Sequence, residues 1–120
     1  NGVSERMFLA QPPGGASPQL TIYAGSYSGV NSGLATATRG IVSSVFNNAS
    51  SFVRINRTAA TTGTTGTQNG NGFTLGAAYN TSASANITAQ EVLVYSGAHD
   101  KATQERVIAM LARNNRIALT

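Results

Sequence analysis

A chain of 120 residues has room for one domain, and its 41% hydrophobic content can fill a core. Only 10% of the residues are charged, against roughly 25% in ordinary soluble domains, so the surface has to be carried by Ser, Thr, Asn and Gly. The absence of cysteine excludes disulfides and thiolate metal sites, no apolar run approaches the roughly 20 residues of a membrane span, and the net charge of +4 comes from eight bases against four acids, the first four bases scattered and the rest in the C-terminal stretch, with no basic run beside an aromatic pair to read as a nucleic-acid surface.

In chain order, residues 5–11 (ERMFLAQ) read as a short strand, stopped by Pro12-Pro13-Gly14-Gly15. Residues 19–24 alternate, with Leu20, Ile22 and Ala24 on one face and Thr21 and Tyr23 on the other, and Gly25 closes the run. Residues 25–39 have little apolar weight and predict a long loop or a poor edge. The clearest hairpin joins residues 40–46 (GIVSSVF) to 50–55 (SSFVRI) through Asn47-Asn48-Ala49, since Asn tolerates the left-handed backbone that hairpin loops require. Asn56-Arg57 predicts a second tight turn leading to residues 58–62. Residues 63–72 (GTTGTQNGNG) carry nothing that demands burial and predict an exposed, mobile connection. A strand resumes at 73–75, and 76–85 read as a polar loop.

The period then changes. In residues 87–95, Ile87, Thr88, Val92, Val94 and Tyr95 predict a buried strand. After a polar break, Val107, Met110 and Leu111 recur at helical spacing, predicting a terminal helix over about 100–113 with Lys101, Glu105, Arg106 and Arg113 turned mostly to water. Asp100 stands where an N-cap belongs. Short strands punctuated by Gly and Asn turns, closed by one helix, predict an all-β fold: an antiparallel β-sandwich with one C-terminal α-helix, a single domain over 1–120 or the C-terminal part of one.

The run VFNNASSFVRINRT, followed by GFTLGAAYNTSASANITAQEVLVYSGAHDKATQERVIAML, resembles the C-terminal half of the concanavalin A-like lectin/glucanase jelly rolls. Within that group it is most similar to the laminin G-like type found in bacterial extracellular and phage structural proteins, and the likeness covers about residues 40–111. Asn48 and Arg57 stand where that family usually has glycine, and the tail Asn114-Asn115-Arg116-Ile117 lacks its Lys-Tyr-Gly ending. A full jelly roll has eight strands, more than this chain supplies. The resemblance therefore implies an incomplete jelly roll, either the C-terminal portion of a larger subunit opening here at Asn1 or a reduced sandwich whose edges neighbouring chains cover. Its partners would be other protein subunits or the remainder of its own chain, in an oligomer located outside the cell or in a virion.

Candidate chemistry is sparse. A glycosidase needs two facing carboxylates, about 5–5.5 Å apart for retention or 6.5–9.5 Å for inversion. Glu5, Glu91, Asp100 and Glu105 are the acids, no two of them alternate along one strand, and the E-x-D-x-x-E run of the glucanases that share this fold is absent. His99 has no G-x-S-x-G serine to serve. Glu91, within the predicted closing strand, and Asp100, before the helix, read as structural carboxylates. No Asp-rich loop offers a calcium site, although backbone carbonyls of the Gly- and Asn-rich loops leave a weak one open; no cofactor is expected. For glycan binding, Tyr27, Tyr79 and Asn80 could stack on and hydrogen-bond a sugar. Two functions follow: a non-catalytic structural or assembly module of an extracellular or phage particle, or a lectin-like module that attaches its parent to a glycan surface.

Overall fold

A computed structural model describes residues 7–10, 20–29, 34, 35, 37–68, 75 and 87–119. Among these residues, two three-stranded antiparallel sheets, one short 3-10 turn and one C-terminal helix make up the regular structure. The first sheet is ordered β1 (Phe8–Ala10), β2 (Thr21–Tyr23), β3 (Tyr27–Gly29). Ile22 lies opposite Leu9 on one side and Ser28 on the other. The second is ordered β4 (Val42–Val45), β5 (Ser51–Ile55), β6 (Thr61–Gly63). Val42 is opposite Ile55, and Val53 is opposite Thr61. The helix, α1, runs Lys101–Asn115. The architecture is thus a small β-rich fold with a helix.

The alternation of residues 20–24 does what its period dictates. Leu20, Ile22 and Ala24 are buried, while Thr21 and Tyr23 are half-buried. Leu20 and Ile22 meet Val53 and Ile55 of β5 in one core cluster, flanked by Leu34, Val42 and Phe46. This cluster joins the two sheets. A second cluster packs Ile41 against Ile108 and Ala112 of α1, with Leu111, Ile117 and Leu119 around it.

The hairpin is present, its strands joined through a short 3-10 turn at Asn48–Ser50, and Asn48 takes the left-handed backbone with φ 46°. In the next turn that conformation falls on Asn56, φ 51°, and not on Arg57. Asn56 also holds the chain to the start of the hairpin. Its amide donates to the Ile41 carbonyl at 2.8 Å, and its Oδ1 accepts from the Ile41 amide at 3.0 Å.

The segment 25–39, expected to be a long loop or a poor edge, contributes the three-residue edge strand β3, which forms because β2 offers it a ladder despite its weak composition. Three other expectations need correction. Residues 64–68, expected to be exposed and mobile, are docked. Thr65 is fully buried, its carbonyl accepts from the amides of Ala24 and Ser26 at 2.9 and 2.8 Å, and its hydroxyl bonds Ser51 Oγ at 2.7 Å. Gly66 permits this approach: at φ +90° a Cβ would stand 2.5 Å from the Ala24 carbonyl oxygen. Residues 69–72 lie outside the described residues, as do Phe73 and Thr74 of the expected short strand, whose Leu75 is an exposed bend.

The second correction concerns residues 87–95, which form no strand and are exposed. Strand propensity alone makes no ladder, and no described strand lies alongside to accept one. The third concerns α1. Its buried seam is Ile108 and Ala112, with Val107, Met110 and Leu111 half-buried, and Glu105 is turned inward. The helix starts where expected and runs two residues past its expected end, to Asn115. Asp100 Oδ1 accepts from the Thr103 amide at 2.7 Å, and Arg116 ends the helix in the left-handed region with φ 54°.

Candidate functional site

Because strand side chains alternate, the inward pointing of Val53 and Ile55 sends Arg54 to the opposite face of β5. There it meets α1. Arg54 is only 5% exposed, and its Nη1 donates to Glu105 Oε1 at 2.7 Å, while Arg57 Nε approaches Glu105 Oε2 at 3.4 Å. Nε and Nη2 of Arg54 have no hydrogen-bond partner among the described residues. A groove of about 370 Å³ opens beside this pair, walled by Phe52, Arg57, Ala60, Lys101 and Gln104. Among the described residues, three cations, Arg54, Arg57 and Lys101, thus share it with a single carboxylate, Glu105.

The hydrogen bond from Arg54 holds the Glu105 carboxyl below its ordinary pKa, helped by the charges of Arg54, Arg57 and Lys101 and opposed by desolvation. Asp100 is lowered as well, first by its hydrogen bonds from Thr103. Carboxylates whose folded pKa is depressed contribute stability that is fully present above their unfolded values, about 4, and is lost as the pH falls through the lower folded ones. Stability should therefore decline below about pH 4, and Glu105→Gln should flatten that decline in urea unfolding followed by circular dichroism at stepped pH. A profile unchanged by the substitution contradicts the pairing.

The second feature is the segment leading into α1. Arg39 Nη2 donates to Gln90 Oε1 at 2.5 Å and to the Asn115 carbonyl at 2.8 Å. Asn115 Nδ2 in turn donates to Glu91 Oε2 at 2.8 Å and to the Leu111 carbonyl at 3.0 Å. Residues 90 and 91 are therefore tied to the end of the helix. The four residues after them are left on the surface: Val92, Leu93, Val94 and Tyr95 are 46%, 40%, 77% and 48% exposed. Tyr95 leans on His99, ring centroids 4.3 Å apart, and the His99 carbonyl accepts from Gln104 Nε2 at 2.6 Å.

The expected glycan contacts fall almost entirely outside the described residues. Tyr27 lies in β3 opposite Tyr23, but its side chain, and Tyr79 and Asn80 entirely, lie outside the described residues. Glu91 is exposed and bonded to Asn115 rather than buried in a strand. His99 and Asp100 serve the start of the helix. The pair that sequence reasoning missed is Arg54 with Glu105; the available signal was a lone charge inside the apolar run FVRI, which alternation assigns to the face opposite the core. Among the described residues no group of three or more His, Asp or Glu could hold a metal, and no helix is long and apolar enough to cross a membrane. No family model, curated protein or solved structure matches the chain.

Proposed function

We propose that the chain is a non-catalytic structural or assembly module of an extracellular or virion particle, built on a lectin-like jelly roll that is completed between subunits. The observation that carries this reading is the exposure of four consecutive apolar residues, 92–95, anchored at one end by Arg39 and Asn115. Such a run in a folded chain marks a surface that another polypeptide covers. Fully burying one side chain of this size contributes about 1.5–3 kcal/mol, and the unladdered backbone adds hydrogen bonds once a strand lies beside it.

The occupant we assign is the same segment of a second copy. Residues 92–95 carry no charge, so two copies pair antiparallel about a two-fold axis without setting like charges opposite each other there. In this reading the two three-stranded sheets are parts of a sandwich whose remaining edge is supplied across the interface.

Val94→Lys places a charge at the most exposed position of the run, where the single chain loses no packing. Light scattering after size exclusion should find the parent chain associated and the Val94→Lys chain monomeric at the same concentration, with an exposed Thr67→Lys control still associated. A parent chain that is monomeric and melts cooperatively contradicts the proposal.

A further inference from the structure

The groove beside Arg54 has a property that assembly does not use. Nε and Nη2 of Arg54, the two donors without partners, form one edge of the guanidinium, the side-on edge whose parallel N–H bonds match the two oxygens of a carboxylate or phosphate. Glu105 occupies only Nη1. The side chain is held in place by its burial, with 6% of it exposed, so the edge is preorganised. A buried charged donor left unmet costs free energy that an acceptor restores. Nothing among the described residues supplies that acceptor, and the excess of cations over carboxylates in the groove favours an anionic one.

We propose that this groove binds the carboxylate or phosphate group of a small ligand, with Arg54 gripping the oxyanion side-on and Arg57 and Lys101 drawing it in. The volume, about 370 Å³, falls at the lower end of small-molecule sites and exceeds what a bare ion fills. Phe52, Ala59 and Ala60 give the ligand body an apolar wall, and Thr58 and Gln104 offer polar contacts. The unpartnered atoms each expose less than 1 Å², so entry requires the wall to part. Arg57 is its movable piece, 52% exposed and held to Glu105 by one contact of 3.4 Å. Binding should accordingly be slowed by this opening and weakened by salt, which screens Arg57 and Lys101.

The test is a titration of the intact chain with inorganic phosphate and, separately, D-glucuronate, each against sodium chloride at equal ionic strength, followed by nuclear magnetic resonance of arginine Nε–H and backbone amides. The expected result is a saturable shift of the Arg54 Nε–H signal with at least one of the two probes, and an affinity reduced tenfold or more in the Arg57→Ala/Lys101→Ala double variant. That variant leaves the buried pair Arg54–Glu105 intact, so it remains informative if Arg54 substitutions fail to fold. A response to phosphate alone assigns a phosphate ligand, a response to glucuronate alone a carboxylate, and a response to both their shared chemistry. No saturable shift beyond chloride with either probe, or equal affinity in the double variant, overturns the proposal.

Discussion

Alanine in place of Ile22 is expected to lower the unfolding free energy by about 2–5 kcal/mol, read as a fall in the urea midpoint without a change in slope. Ile22 is fully buried in the central strand of the first sheet, and its cluster with Leu20, Val53 and Ile55 joins one sheet to the other. The short strands give it neighbours that cannot collapse freely into the space left behind. A domain's net stability is about 5–15 kcal/mol, so this one truncation should remove a large fraction of it. Ile22→Val, which removes one methylene and keeps the branched shape, should cost only about 0.5–1.5 kcal/mol. Equal and small losses for the two substitutions would place the core elsewhere.

The second large effect is an asymmetry across the pair Arg54–Glu105. Removing the carboxylate with Glu105→Ala strands a guanidinium that is almost wholly buried and already has two donors without partners. Removing the cation with Arg54→Met fills the same space with an apolar chain. It leaves a carboxylate that is about one-third exposed and still faces Arg57. Breaking a buried pair from the side that leaves the buried charge behind is the costly direction, whereas an apolar replacement of similar volume is often near neutral. The melting temperature should therefore fall further for Glu105→Ala than for Arg54→Met, although Arg54 is the more buried residue. The reverse order would mean that the packing of the arginine stem, and not its charge, holds α1 to β5.

The parts of this fold legible in the sequence are those that local chemistry decides. The alternation of Leu20, Ile22 and Ala24, the Asn-rich hairpin and the capped helix each follow from residues within one turn or one strand of each other. The misread parts depend on distant partners. Residues 27–29 read only as a loop or a poor edge, and it is β2 that supplies the ladder deciding between them. Thr65 looks like a loop residue, yet its carbonyl is the acceptor that the amides of Ala24 and Ser26 share. Residues 87–95 fail in the opposite sense, with strand-forming side chains and no described neighbour to pair with. Helical periodicity turns Glu105 to water because its partner lies 51 residues away on β5, a separation that periodicity cannot bridge. Of the expected glycan contacts, only the backbone of Tyr27 falls within the described residues.

The assembly reading stands or falls on whether residues 92–95 gain a partner strand. Amide hydrogen exchange on the whole chain, measured at concentrations below and above that at which it associates, addresses this at the level of individual residues. Pairing predicts that amides in 92–95 exchange freely in the dilute chain and become protected on association, while those of β2 and β5 are protected throughout. Association that leaves residues 92–95 exchanging as freely as in the dilute chain would contradict it.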